Sequence, residues 1–231
     1  MLTRLFVALT LVVASTSTIL AQNPKKIIQT VNAKFAKVSS YTADGNVKFD
    51  IPSVKLSPIN VSVYFKKPSK FKMHSRGLFF MPKQNPMGDI AKLLSDTSSY
   101  TAVHMGKETV NGKSCHIVNI LPTKNMGDFI VGKFWINDAE GLVYKSEITT
   151  KNAGTVLTES FYGAMASYGL PDKVILTMDV NKFKIPKMLA MDINRKKATT
   201  PSDPNKKEIS KITVSMKNYK VNVAIDDKIF Q

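Results

Sequence analysis

The sequence predicts a mainly β (α+β) protein, with one large antiparallel sheet that follows an amphipathic helix. Strand-like runs recur at short spacing after residue 40, and several alternate apolar and polar side chains with a period of two. Turn residues separate these runs, and Asn111-Gly112 is a strong hairpin signal. Residues 24–38 instead space their apolar side chains along one face of a helix. Turn-rich meanders of this kind predict a sheet that is strongly curved or closed as a barrel.

The start of the chain predicts export. Arg4 supplies a basic residue, Leu5 to Val13 is apolar, and Ala21 is a plausible last residue before cleavage. This apolar run is too short for a membrane-spanning helix. We therefore expect residues 1–21 to be a signal peptide and residues 22–231 to form a single domain. The expected location is the periplasm, or the exterior of a cell that has no outer membrane.

The charge of the chain restricts its partners. Lys and Arg number 33 against 17 Asp and Glu, which gives a formal net charge of +16. Such a chain favours anionic partners, for example phospholipid head groups. Export and the even spread of the lysines argue against nucleic acid. A general basic bias explains the charge as well as contact with anionic membranes does, so both interpretations stay open.

The predicted elements follow in order. Pro24 suits a helix start, and Ile27, Ile28, Val31 and Phe35 form its apolar stripe. The predicted strands cover residues 41–51, 59–66, 71–75, 100–105, 107–110, 114–121, 129–137, 142–150, 155–165, 173–180 and 208–219. Residues 181–207 carry three prolines and a basic run, and they predict a long excursion that is functional or disordered.

The stretch from His74 to Leu94 is too apolar for an ordinary surface loop and too interrupted for a core strand. It contains four consecutive large apolar residues, and consecutive residues of one strand cannot all face one core. We expect a lid over an apolar cavity, with Gly77 and Pro82 as hinges and a short helix packing through Ile90, Leu93 and Leu94. The alternative is a loop tucked under the main core.

Candidate catalytic and metal sites are not evident. His74, His104 and His116 fall on three separate predicted strands, and no pair has the spacing of a metal-ligand motif. No serine lies in a GxSxG elbow, and no glycine-rich phosphate loop opens a helix. Cys115 is the single cysteine and is expected to be a small buried side chain without a disulfide. We therefore expect no enzymatic activity, no metal and no cofactor.

Several motifs resemble those of the periplasmic lipoprotein-carrier family, LolA-like, with its relatives LolB and RseB. The likeness covers most of residues 25–180. It rests on Val38-Ser39-Ser40-Tyr41 with the strand from Thr42 to Val47, on Val63 to Lys72 with its basic-proline turn, on the hairpin of Lys133 to Asn137 and Leu142 to Glu147, and on Phe161-Tyr162 followed by Gly169 to Val174.

This resemblance implies a half-barrel whose concave side is closed by short helices and holds acyl chains. It implies a carrier that moves lipoproteins or lipids toward the outer membrane, as a monomer that briefly contacts anionic membranes or membrane-bound donor and acceptor proteins. In the family a buried arginine latches the lid, and Arg76 is the candidate here. The alternative is an RseB-like sensor or interaction module that reads lipid or unfolded protein in the envelope.

Apolar residues on the predicted strands and lid are the candidate ligand contacts. Methionine fits variable apolar ligands, although it also fills ordinary cores. The expected lining is Val47, Phe49, Val61, Val63, Phe71, Met73, Leu78, Phe79, Phe80, Met81, Ile90, Leu93, Leu94, Trp135, Met178 and Met188.

Overall fold

The structure, a computed structural model, describes residues 23–52, 56–75, 94–124, 127–152, 154–179 and 209–230. The described part begins with helix α1, Pro24–Ala36, as the apolar spacing predicts. The side chain of Asn23 caps its first turn by accepting a hydrogen bond from the Lys25 amide at 3.0 Å. No helix in these residues is both long enough and apolar enough to span a membrane.

Ten strands follow the helix within the described residues. They are β1 (Ser40–Asp50), β2 (Ile59–Lys66), β3 (Lys70–Ser75), β4 (Tyr100–Val110), β5 (Lys113–Pro122), β6 (Phe129–Asn137), β7 (Leu142–Thr150), β8 (Gly154–Phe161), β9 (Lys173–Asp179) and β10 (Ile209–Val221). Two short 3₁₀ helices, Ala166–Tyr168 and Asp227–Phe230, complete the described elements.

Two strand predictions need correction. The runs at 100–105 and 107–110 are one strand, β4, with an irregularity in its pairing between His104 and Lys107. Gly106 lies there with a φ of 109°, a conformation that glycine adopts without strain. Strand β8 ends at Phe161 rather than at 165, because the chain turns there into a 3₁₀ helix.

The strands form one antiparallel sheet in the order β3-β2-β1-β10-β9-β8-β7-β6-β5-β4. The first and last strands of the chain are therefore neighbours inside the sheet, where Tyr41 pairs with Val221. Strands β3 and β4 are its two edges, and within the described residues the sheet does not close on itself. The prediction of one large antiparallel sheet is confirmed. The alternative that this sheet closes into a barrel is wrong for the described part of the chain.

The register defines two faces of this sheet, because directly paired residues share a face. We call inner the face on which α1 packs through Ile27 and Ile28, which share a buried cluster with Val118 and Phe134. One row of paired residues crosses eight strands on this face: Phe49, Ile212, Leu176, Thr158, Ser146, Phe134, Val118 and His104. The opposite face is called outer.

Candidate ligand-binding face

Six predicted contacts lie together on the inner face of β1, β2 and β3. Their shared cluster contains Val47, Phe49, Val61, Val63, Phe71 and Met73. The three valines are buried, whereas Phe49, Phe71 and Met73 are half-buried. The period-2 pattern of the sequence therefore brings these side chains to one surface, part of which remains accessible.

The same surface continues across β10 and β9 with residues that sequence reasoning did not select. Ile212, Val214 and Met216 belong to the same cluster and are half-buried. Val174 and Leu176 pair with Val214 and Ile212 and share their face. In the sequence, these apolar residues alternate with polar ones such as Lys173 and Lys211, which indicates that they share one face of their strands. The sequence does not show which strands lie beside β10 in the sheet.

Three other predicted contacts, Met178, Leu94 and Trp135, lie outside the cluster of β1, β2 and β3. Met178 is buried on the inner face, where it pairs with Ser210 and Val156. Leu94 is buried in the cluster beneath α1, and its carbonyl accepts a hydrogen bond from the Asn32 side chain at 2.7 Å. It therefore lies under the helix, away from the cluster of β1, β2 and β3.

Trp135 lies on the outer face, because its neighbours Phe134 and Ile136 both face α1. Its indole N–H donates to the Glu108 carboxylate at 2.7 Å. The ammonium groups of Lys133 and Lys145 lie 4.6 and 4.3 Å from the ring centroid, within the range of cation–π attraction. These contacts bury the ring without a ligand and separate it from the inner-face contacts.

The remaining predictions lie outside the described residues. They are the signal peptide, the excursion at 181–207, the hinges Gly77 and Pro82, the latch Arg76, and the contacts Leu78, Phe79, Phe80, Met81, Ile90, Leu93 and Met188.

The inner face of β1–β3 and β7–β10 carries no charged side chain among the described residues. The acidic and basic residues of these strands occupy the alternate, outer positions, as Lys48, Lys211 and Glu159 do. Hydroxyl groups interrupt the otherwise apolar surface, and we call four of them the inner-face hydroxyls: Ser146, Thr158, Ser160 and Ser210. Such a face can bind an apolar body and hydrogen-bond a neutral polar group, but it offers no cation to an anion.

Gly45 has no side chain, and this allows the side chains of its neighbours on β2 and β10 to pack directly over the β1 backbone on the inner face. A Cβ atom at this position would lie 2.7 Å from Val61 Cγ2 and 3.2 Å from Met216 Sδ. Its two neighbours therefore close over the glycine backbone. The sequence alternation places this residue on the apolar side of β1, but it does not indicate how closely the neighbouring side chains approach.

A pair of histidines lies near the β4 edge. His104 Nε2 and His116 Nδ1 are 3.0 Å apart, and His116 Nε2 is 3.3 Å from an Asp138 carboxylate oxygen. Burial lowers the pKa of His116, and the nearby Asp138 carboxylate partly offsets this lowering. Across the described residues, no group of three or more His, Cys, Asp or Glu side chains is arranged to hold a metal ion. The buried Cys115 nearby confirms the expectation of a small buried side chain.

Two surface pockets each include one predicted contact in their lining, Val63 in the first and Phe71 in the second. One, of about 540 Å³, is lined by residues of β1, β2 and β10, including Asp44, Tyr64 and Lys220 of the outer face. The other, of about 450 Å³, lies between the β2–β3 turn and the last 3₁₀ helix. There Asp227 accepts hydrogen bonds from Lys66 and Lys70, which lower its pKa to about 2.

Solved structures share this arrangement of strands. A LolA superfamily protein from Nitrosomonas europaea matches with a TM-score of 0.57 and 12% identity, over 91% of this chain and 98% of that chain. A candidate outer-membrane lipoprotein-sorting protein domain from Vibrio parahaemolyticus matches with a TM-score of 0.57 and 8% identity, over 90% and 95% of the two chains. A DUF1329 family protein from Desulfovibrio piger matches with a TM-score of 0.55 and 10% identity, over 91% and 98%.

Sequence comparisons give no further relative, since no family model and no curated protein matches. At identities of 12% and below, the likeness to solved structures concerns the fold. It spans nearly the whole chain, and it agrees with the resemblance noted in the strand and turn motifs. The chain shares its fold with these solved structures, which include a LolA superfamily protein.

Proposed function

We propose that this protein binds the acyl chains of lipoproteins or lipids on its inner face and carries them toward the outer membrane. The single observation that carries the proposal is a broad, uncharged apolar surface that stays partly exposed across β1–β3, β9 and β10. Soluble proteins rarely leave such a surface open unless it meets a ligand or partner. The fold shared with a candidate lipoprotein-sorting domain supports the same interpretation.

Burial alone can hold such a ligand. Moving an acyl chain out of water contributes about 0.8 kcal/mol for each CH₂ group. A surface that spans five strands, at about 4.8 Å per strand, has room to cover a long chain. Binding by burial also permits transfer, because no covalent bond has to be made or broken. A lid formed by Leu78 to Met81 would complete the site, with Arg76 as its latch.

The test compares two adjacent apolar residues on opposite faces of β9. Leu176→Lys places an ammonium group on the inner face, whereas Ile175→Lys adds the same charge to the outer face. Both side chains are half-buried in the native protein, so the pair is matched in burial. We expect L176K to bind the neutral dye N-phenyl-1-naphthylamine at least about tenfold more weakly and I175K to bind it nearly normally.

Lipid extraction and mass spectrometry supply the native cargo. The wild-type protein, purified from its envelope fraction, should carry acylated molecules that are reduced in L176K and retained in I175K. A protein that repeatedly carries no lipid, and binds none when vesicles are offered, contradicts the proposal.

We further propose a periplasmic location and brief contact with anionic membranes during transfer. Lys25 and Lys26 are exposed on α1 and Lys37 is exposed just after it, and each lysine near an anionic surface contributes about 1 kcal/mol. Co-sedimentation with phosphatidylglycerol vesicles should weaken as salt rises. Equal binding to neutral vesicles at all salt concentrations removes the electrostatic part of the proposal.

A further inference from the structure

We propose that the inner face selects acyl chains in neutral ester or amide linkage over free fatty acid anions, with inner-face hydroxyls as the donors to the linkage carbonyl. This inference rests on the proposed function and names the chemical class that the same face accepts.

The first support is the charge distribution. A carboxylate buried without a cation is strongly disfavoured, because its hydration is lost and nothing replaces it. The inner positions of β1–β3 and β7–β10 offer no Lys, Arg or His in the described residues. An ester or amide carbonyl carries no net charge, so its burial needs one hydrogen-bond donor and no counter-ion.

The second support is the placement of hydroxyl groups within the apolar row. Ser146 and Thr158 are directly paired on β7 and β8, between Leu176 on one side and Phe134 on the other. Directly paired side chains lie about 5 Å apart, so both hydroxyls can reach one polar group. Neither hydroxyl has a hydrogen-bond partner among the described residues. The adjacent Ser160 is already bonded to Tyr162.

The third support is an unsatisfied buried group. Ser210 is 2% exposed, and its Oγ has no hydrogen-bond partner in the described part of the chain. Its pairing with Met178 places it on the inner face. A buried hydroxyl without a partner is costly, so natural proteins generally supply one. A carbonyl of a bound ester or amide would accept this hydrogen bond as well.

The experiment compares two ligands with the same twelve-carbon chain, 1-monolauroylglycerol and laurate. Each is titrated at about pH 8, below its aggregation concentration, against N-phenyl-1-naphthylamine bound to the full-length protein. We expect the ester to bind at least about tenfold more tightly than the anion. One to two hydrogen bonds, and a carboxylate left without a partner, together account for a ratio of this size.

The variants remove hydroxyls while they preserve shape. Ser146→Ala with Thr158→Val should lower affinity for the ester about tenfold. Ser210→Ala should lower affinity for the ester by about threefold to tenfold. The matched control is Thr149→Val with Thr155→Val, a bonded hydroxyl pair on the same two strands but on the outer face, 2.9 Å apart. This control should leave the ester affinity unchanged.

The possible outcomes separate the two proposals. Equal affinity for ester and laurate, or an inner-face double variant that binds the ester normally, overturns the selection of neutral linkages while acyl binding stands. If the dye, the ester and laurate all fail to bind to folded wild-type protein, acyl binding itself is overturned. Circular dichroism of each variant confirms that the comparison is made between folded proteins.

Discussion

At the scale of single residues, His116 links stability to pH. It is 1% exposed, and burial is the main reason that its pKa lies below 6.5. In the unfolded chain a histidine takes up its proton near pH 6.5. As pH falls from about 7 toward the lowered native pKa, His116 becomes protonated in the unfolded state but stays neutral in the native state. The free energy of unfolding therefore decreases over this window.

We expect His116→Gln to flatten this loss of stability over the same pH window. Urea unfolding at several pH values measures it as the slope of unfolding free energy against pH. The control is His74→Gln, since His74 is exposed on the edge strand β3. A slope that persists in H116Q and disappears in H74Q would contradict the assignment.

Trp135 supplies a second test at this scale, because its stabilising and binding roles can be separated. Trp135→Phe removes the N–H that bonds Glu108, and we expect it to lower the unfolding free energy by about 1–3 kcal/mol. Dye affinity should stay within about twofold, since the ring lies on the outer face. A loss of affinity of tenfold or more would instead place the indole among the ligand contacts.

Alternation placed side chains on the correct face of the sheet where it was regular. The six predicted contacts on β1–β3 share one cluster because apolar residues repeat with period two in those segments. Trp135 was predicted as a contact on the same grounds, but in β6 both faces of the strand carry large apolar residues, so alternation does not tell which face it occupies. Ser146 and Thr158 were not among the predicted contacts, because a serine and a threonine within strands resemble solvent-facing residues until the register is known.

At the scale of elements, α1 is the part whose packing is simplest to measure. Ile28 is fully buried against the inner face, in the cluster with Val118 and Phe134. Ile28→Ala should lower the unfolding free energy by about 2–5 kcal/mol, because it leaves a cavity beneath the helix. Chemical denaturation followed by circular dichroism measures this change.

The control for that prediction is Gln29→Ala, the next residue along α1, which is exposed. Its effect should stay within about 0.5 kcal/mol. If I28A proved as mild as Q29A, the helix would contribute little to the stability of the sheet, and the assigned packing of α1 would be wrong.

Elements were predicted best where both turn and alternation were clear. β6 and β7 were placed to the residue, since a turn-forming segment with Gly141 at φ 61° separates two apolar runs. β4 was divided at Gly106, because a glycine inside a strand also resembles a turn. Pairing of β1 with β10 has no local signature at all, since the partners lie at opposite ends of the sequence.

At the scale of the whole molecule, acyl binding predicts a coupling between ligand and stability. A ligand that binds the folded state at a hundred times its dissociation constant stabilises it by about 2.7 kcal/mol. For a chain of this size, that corresponds to a rise in Tm of roughly 5–10 °C. Differential scanning fluorimetry with 1-monolauroylglycerol measures the rise.

The L176K variant is the control for this prediction, and its Tm should respond far less to the same ligand. A wild-type Tm that does not change at any ligand concentration would contradict binding to the folded state. A rise of equal size in L176K would place the bound ligand somewhere other than the inner face.

The pairing of β1 with β10 has a consequence for the order in which the molecule folds. Strands β1–β3 and β4–β9 can each form as a local meander, and among the described strands only β10 joins them, by pairing with both β1 and β9. This joining strand, Ile209–Val221, follows all the other described strands in the sequence. Contacts between such distant segments form slowly, because a long loop must close first. In a chain made from its N-terminus, the sheet of the described residues therefore cannot be completed before β10 has been synthesised, and until then its two meanders remain unjoined.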